Sequence, residues 1–200
     1  MAYIGKTPTA VPIGTNDLAD NIVTVSKLAS TLDLSSNTIT LPSGVGGKVL
    51  QIQTTTKTDT FSTSSTTFTD ITGMSVSITP TSSSNKIFVM AHLNMAHGAS
   101  RAFHVKLLRD STDLHKGDTA STRIRSTLSL TSDESNATVN TATNSFQYLD
   151  TPNTTSATTY KLQGRIGSTN AGYVNRYAND GDNSESYRAV SGITVMEIAG

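Results

Sequence analysis

The chain of 200 residues contains no cysteine, no tryptophan and no long hydrophobic run. Without cysteine it has no disulfide scaffold, no thiolate metal site and no cysteine nucleophile. Its apolar runs are far shorter than the roughly 20 residues of a membrane-spanning helix. The first residues lack the charged and apolar regions of a secretory signal. The sequence therefore predicts neither membrane insertion nor signal-directed secretion.

Charge is scarce as well. Lys and Arg total 15, Asp and Glu total 15, and the formal net charge is zero. Such a chain produces no long-range field that would hold DNA, RNA or an anionic membrane. The abundant residues are instead 26 serines and 34 threonines, together 30% of the chain. With Val, Ile and Tyr spread in short runs, this composition favours an all-β protein with a weakly charged exterior.

The first segment, residues 1–16, has no strand alternation and contains Pro8 and Pro12. Proline removes backbone donors and favours extended chain, so an extended arm is predicted. Such an arm can dock through its backbone and through pockets for apolar side chains. The predicted anchor residues are Tyr3, Ile4, Val11 and Ile13.

The second segment, residues 17–46, contains the one predicted helix, over 17–32, and a linker. Apolar residues recur along the helix at spacings of three and four, namely Leu18, Ile22, Val25, Leu28 and Leu32. This narrow seam of about two heptads is too short to be stable alone in water. It predicts a short self-association helix, with a plug docked on another protein as the alternative.

The third segment, residues 47–200, alternates apolar and polar residues in one short run after another. About eight to ten strands separated by Gly, Asn, Ser and Pro turns predict an antiparallel β-sandwich, jelly-roll-like. KIFVMAHLNM (residues 86–95) is apolar on both faces and is predicted to be a central strand. Residues 123–130 are predicted to form another strand, with Arg123 and Arg125 on its exposed face.

Several phrases of the sequence carry a resemblance to a known family. They are MAYIGKTP, DLADNIVTVSKLAS, DLSSNTITLPSG and the block that begins GKVLQIQTTTKTDTF, followed by TSATTYKLQGRIGS, YVNR and ITVMEIAG. The chain resembles tail-fibre and related virion proteins of phages that infect marine bacteria and cyanobacteria. The resemblance implies an N-terminal part attached to the virion and a trimeric β head facing outward, with no catalytic residue. The order of the β segments is also similar to trimeric jelly rolls of the C1q and tumour-necrosis-factor kind, as a topological analogy.

The four histidines show no metal-binding pattern, since no pair has the helical spacing of a zinc protease. His92 lies in phase with Phe88 and Met90 on a strand that is apolar on both faces, and at a three-fold axis three copies of it would converge on a metal or an anion. A hydrogen-bonded histidine of the core or an interface is the favoured interpretation. The loop NDGDNSE (residues 179–185) places Asp180 and Asp182 at alternate positions. A turn is favoured there over a calcium site. No cofactor and no metal are predicted.

Enzymatic motifs are missing. There is no G-x-S-x-G elbow, and GVGGK (residues 44–48) lacks the spacing of a phosphate-binding loop. The three glutamates, Glu134, Glu185 and Glu197, show no setting for paired-carboxylate hydrolysis. The sequence predicts a protein that is not an enzyme.

A cluster of aromatic and polar residues precedes the last strand, and sugars are bound by such combinations of ring stacking and hydrogen bonds. The predicted receptor-binding residues are Tyr173, Asn175, Arg176, Tyr177, Asn179 and Asp180. The alternative is that Tyr173 and Tyr177 pack at a trimer seam while Arg176 pairs with an aspartate.

Together with the resemblance, these observations predict a short homotrimeric phage tail fibre. It would attach to the virion through its N-terminus and present a β head to a host surface glycan. It would be made in the host cytoplasm and carried, surface-exposed, on the phage tail. The alternative is a capsid decoration or a tail-adaptor-associated structural fibre without a receptor role.

Overall fold

The computed structural model describes residues 48–98, 102–131, 140–167 and 170–200. All of them belong to one compact unit, Gly46–Gly200. The predicted arm over 1–16 and neck over 17–46 lie outside the described residues. The same holds for the anchor residues Tyr3, Ile4, Val11 and Ile13 and for the seam residues Leu18, Ile22, Val25, Leu28 and Leu32.

The described residues form eleven β-strands and no helix, which confirms the all-β prediction. Every strand pairing among them is antiparallel. The strands are β1 Val49–Lys57, β2 Phe61–Thr63, β3 Thr69–Ile78, β4 Lys86–His97, β5 Ala102–Arg109, β6 Thr112–Leu114, β7 Leu128–Thr131, β8 Asn140–Asp150, β9 Thr158–Ile166, β10 Gly172–Val174 and β11 Ser191–Ile198. Within the described ranges there is no helix of the length and hydropathy that a membrane crossing requires.

The strands form two sheets. In the first sheet, β4 pairs along its length with β8 at one edge, while its other edge pairs first with β11 and then with β10. Strand β1 pairs with β11, and β2 pairs with β10. In the second sheet the order is β3, β9, β5, with β6 and β7 following one another along the far edge of β5. The prediction of a central strand is confirmed, since β4 has partners on both edges.

The core lies between these sheets and follows from the period of two along each strand. On β4 the inward positions carry Ile87, Val89, Leu93 and Met95, each fully buried. Side chains from β3, β5 and β9 meet them, including Met74, Phe103, Val105, Tyr160, Leu162 and Ile166. Alternation in the sequence therefore indicates the inward face of β3, β5 and β9, whereas β4 is apolar on both faces in the sequence and its inward face follows from packing.

The prediction of a strand over 123–130 is wrong for its first half, because β7 begins only at Leu128. The edge of β5 that β7 uses is occupied further along by β6, which pairs with Leu107–Arg109. Residues before β7 therefore have no strand to pair with. They follow an irregular path in which Arg125 Nε donates to the Gly117 carbonyl at 2.7 Å.

Candidate functional site

The predicted receptor-binding residues begin on β10, which lies between β2 and one end of β4. Gly172 allows this close approach, because a Cβ at that position would lie 2.5 Å from Cδ2 of buried Phe103. Alternation along β10 then turns Gly172 and Val174 inward and leaves Tyr173 half-buried on the outer side. A glycine and a core phenylalanine thus set the position of the first aromatic ring of the cluster.

Asn175 closes the base of the loop that follows β10. Its backbone has a positive φ of 62°, a conformation that asparagine tolerates better than most residues. Its side-chain amide donates to the carbonyls of Lys57 at 2.8 Å and Asp59 at 3.0 Å. Its side-chain oxygen accepts from Ser191 Oγ at 2.6 Å. The returning chain is tied at the same point, since Ala189 N donates to the Asn175 carbonyl at 3.1 Å.

Arg176 organises the centre of the loop. Its guanidinium lies over the Tyr173 ring, 4.2 Å from the centroid, at a distance typical of a cation–π contact. Its Nη1 donates to Asp180 Oδ2 at 2.6 Å. Arg188 Nη1 donates to the other oxygen of the same carboxylate. Asp180 therefore joins two arginines from the two ends of the loop, and their backbones also form an isolated bridge.

The charge at Asp180 follows from these contacts. The hydrogen bond from Arg188 lowers the pKa of the Asp180 carboxyl, and the nearby charges of both arginines act in the same direction. The carboxylate thus stays ionised at any pH at which the fold is expected to operate. Each of its two oxygens thus accepts from one guanidinium.

A polar pocket opens beside the two arginines. It has a volume of about 380 Å³ and is lined by Asp180, Gly181, Asp182, Asn183, Ser186, Tyr187 and Arg188. Its floor is shaped by Asn183, whose side-chain oxygen accepts from the backbone amides of Glu185 and Ser186, both at 3.0 Å. The Tyr187 ring also lies near the Tyr177 ring, with centroids 6.2 Å apart. The pocket and its border thus combine aromatic surface with polar groups.

The structure brings four of the six predicted residues into contacts of this cluster, namely Tyr173, Arg176, Tyr177 and Asp180, and leaves Asn179 exposed in the same loop. Asn175 is the exception, because it is fully buried and its side chain is consumed by internal hydrogen bonds. Its prediction as a surface contact is corrected to a role in holding the loop. The prediction also left out Tyr187 and Arg188. Their position opposite residues 176 and 177 depends on pairing across the loop, which no local pattern indicates.

The histidines are scattered. His92 is exposed on the outer face of the first sheet, and His97 is buried with Nδ1 2.6 Å from the Gly98 carbonyl oxygen. His104 Nδ1 lies 2.9 Å from Ser129 Oγ, and burial lowers the pKa of that imidazole. His115 lies against the Tyr148 ring. Among the described residues, no three His, Asp or Glu side chains are grouped as a metal site would need.

Comparison of the chain with protein-family models and with curated proteins found no match to either.

Proposed function

We propose that this protein is a short homotrimeric virion fibre of a phage, whose β head binds a host surface glycan. The observation that carries the glycan part is the surface formed by Tyr173, Arg176, Tyr177, Tyr187 and Arg188 around Asp180, hereafter the Tyr–Arg surface. The phage part is supported by the phrase-level resemblance of the sequence, and the N-terminal arm would attach to a virion protein.

The order of the strands supports a jelly roll for the head. One sheet runs β1, β11, β4, β8, and the other runs β3, β9, β5, β7, with β2, β6 and β10 as short additions. In chain order these eight strands alternate between the sheets except at β5 and β7, which are neighbours in the second sheet, and the last strands return beside the first, as in jelly rolls. A fold of this kind hosts many functions, so the choice of ligand depends on the surface rather than on the fold.

The chemistry of the Tyr–Arg surface suits an uncharged sugar. The two arginines share one carboxylate, and Asp182 lies exposed in the same pocket, so the local charges nearly cancel. Tyrosine rings provide flat apolar area with a polar tip, which fits the C–H face of a sugar ring. Arg188 is 58% exposed and carries donors that suit sugar hydroxyls. Three copies in a trimer would add avidity to weak single sites.

The proposal is tested with the full chain, labelled and applied to a glycan array and to permissive host cells. Arg188→Ala removes a donor from the Tyr–Arg surface while Arg176 still pairs with Asp180, so the loop keeps its central ion pair. We expect at least tenfold weaker binding for this variant and for Tyr177→Ala. Arg123→Ala, which removes an exposed arginine elsewhere, is the matched control and should bind normally.

Equal binding by Arg188→Ala, Tyr177→Ala and wild type would show that the glycan does not use this surface. A wild-type protein that binds no permissive host would favour the other candidate function, a structural fibre of the capsid or tail adaptor.

A further inference from the structure

The outer faces of the two sheets differ sharply in chemistry. The second sheet exposes a charged face, on which Lys161 pairs with Asp70 at 2.9 Å. On the same face Lys106 pairs with Asp113 at 2.7 Å. Neighbouring strands thus place opposite charges side by side, as expected of a face in contact with water.

The first sheet exposes an apolar row instead. Ile52 lies opposite Met196, Met196 opposite Phe88, and Phe88 opposite Leu149, so one line crosses β1, β11, β4 and β8. Ile52 is 55% exposed and Leu149 is 48% exposed. Seven large hydrophobic side chains are exposed in the part of the chain that the structure describes, and five of them belong to strands of this sheet: Val49, Leu50, Ile52, Met90 and Leu149. Contiguous apolar surface of this kind marks an interaction site rather than a solvated face.

The next two rows continue this face without acidic residues or arginine. Thr54, Thr194, Met90 and Gln147 form the second row, and Gly192, His92 and Ser145 belong to the third. Between these rows lies an open groove of about 540 Å³. The apolar row with the groove is called the apolar sheet face below.

Strand β8 forms the border of this face and is itself unprotected. Among the described residues it pairs only with β4, over eleven positions and without a bulge. Its sequence, NTATNSFQYLD, has no proline and no lysine. Proteins usually blunt a long edge strand with such residues, or cover the edge, because open edges pair with other chains. The apolar sheet face and the β8 edge therefore form one continuous surface of the kind that another chain usually covers.

We infer that the apolar sheet face, bordered by the β8 edge, is the surface through which copies of this chain pack against each other. The distribution of charge indicates that the partner on this face is another copy of the chain. In a cyclic assembly every copy presents the same surface, so charges on it would meet their own kind near the axis. The apolar row and the groove carry no Lys, Arg, Asp or Glu, and the nearest charge on this side of the sheet is exposed Lys86 in the adjacent row. A nucleic acid or an acidic partner would instead need a charged face. The inference rests on the homotrimer of the proposed function and specifies the surface that holds its heads together.

The chain has no cysteine, so one introduced thiol reports the exposure of one position in the full-length protein. Leu149→Cys lies in the apolar row, and Val190→Cys lies just before β11, outside the row and the groove, with the same 48% exposure in a single chain. If copies cover the face, a maleimide should modify Leu149→Cys at least tenfold more slowly than Val190→Cys. The difference should vanish in urea. Equal rates in the native proteins would overturn the inference.

The particle mass from light scattering shows whether the apolar sheet face is covered by another copy of the chain. Slow modification of Leu149→Cys in a particle with the mass of one chain would mean that the chain covers its own face, which also overturns the inference. A multimer with slow modification supports it. This assay requires no glycan, so a trimer that binds no sugar would contradict the receptor role and leave the packing surface intact.

A charged substitution completes the test. Leu149→Glu should lower the oligomer mass, or render an Ile52→Cys thiol on the same face as reactive as Val190→Cys. Val190→Glu is the control and should change neither. Unchanged mass together with continued protection of Ile52→Cys would contradict the inference.

Discussion

Glu197 accepts a hydrogen bond from the Asn85 side-chain amide at 2.6 Å, and both side chains are buried. Gln51 Nε2 donates to the same carboxylate at 2.7 Å, and Thr81 donates through its backbone amide at 2.6 Å and its hydroxyl at 2.8 Å. Burial by itself would raise the pKa of Glu197, but these hydrogen bonds outweigh it and lower the pKa to about 2. Neutral donors thus stabilise a buried charge and tie the loop before β4 to β11.

Replacement of Glu197 by Gln should destabilise the head. The new side chain presents an NH₂ group to donors that formerly met an oxygen, which leaves buried donors unpaired at a cost of about 2 kcal/mol. Urea unfolding at neutral pH and fixed protein concentration measures the change. Glu185→Gln, on an exposed loop, is the matched control and should unfold like wild type.

The same carboxylate should make the head acid-sensitive. Its folded pKa of about 2 is below the ordinary value of 4.5, so the stability it contributes is complete above pH 4.5. That contribution is lost as the pH falls from 4.5 toward 2. The difference in unfolding free energy between wild type and Glu197→Gln should therefore shrink over this range. A difference that stays constant from pH 6 to pH 3 would argue against the assigned charge.

Ionisation of Tyr160 should destabilise the fold at alkaline pH. Its hydroxyl donates to Asp150 Oδ2 at 2.7 Å, and burial followed by this hydrogen bond raises the pKa of Tyr160 above its ordinary value of 10.0. A raised folded pKa gives stability that is complete below pH 10 and is lost as the pH rises further. When unfolding above pH 10 is monitored by tyrosinate absorbance, one tyrosine should therefore ionise late, as the fold opens.

Tyr160→Phe should remove that late tyrosine and cost about 1 kcal/mol at neutral pH, since Asp150 keeps its ion pair with Arg109 at 2.8 Å. Tyr148→Phe, at a half-buried position of β8, is the control. An alkaline transition that persists unchanged in Tyr160→Phe would assign it to another group.

Gly172→Ala should disturb the Tyr–Arg surface from beneath. The added Cβ would lie 2.5 Å from Phe103 Cδ2, so either the core ring or β10 must shift. Overpacking of this kind costs about 1–3 kcal/mol. We expect a lower melting temperature together with weaker glycan binding. Gly117→Ala, which meets nothing within 4 Å, should leave both unchanged.

Deletion of residues 1–16 should leave a folded oligomer that no longer enters particles, because the arm is proposed as the virion anchor. Immunoblots of purified particles from a deletion strain measure incorporation, and light scattering of the purified variant measures assembly. Normal incorporation of the deletion variant would refute the anchor role.

Alternation in the sequence was enough to predict the antiparallel sandwich and the central strand β4. Period two places Ile87 and Val89 on one face of β4 and Met90 and His92 on the other. Both faces are largely apolar in the sequence, so only packing against the second sheet shows that Ile87 and Val89 point inward. The same rule failed for residues 123–127, because an alternating segment becomes a strand only where a neighbouring edge is open, and β6 occupies that edge.

The candidate site was predictable in composition but not in arrangement. Tyr173, Arg176 and Asp180 are close in sequence, so their clustering follows from the chain alone. Asn175 has the same local signature, yet its side chain is directed inward by carbonyls of Lys57 and Asp59, more than a hundred residues earlier. Arg188 joins the site only because the chain turns back on itself at Asn175 and Ser191.

The scarcity of charge is visible in the sequence, but the positions of the charged residues are known only from the fold. Composition and period are enough to describe a neutral, hydroxyl-rich, all-β chain without cysteine, because neither depends on which strands pair. The fold adds where the charges lie: several are paired on the second sheet, others gather around Asp180, and the apolar row and groove of the first sheet carry no Lys, Arg, Asp or Glu. That distribution depends on which strands become neighbours, and strand pairing is set by contacts between residues far apart in the chain.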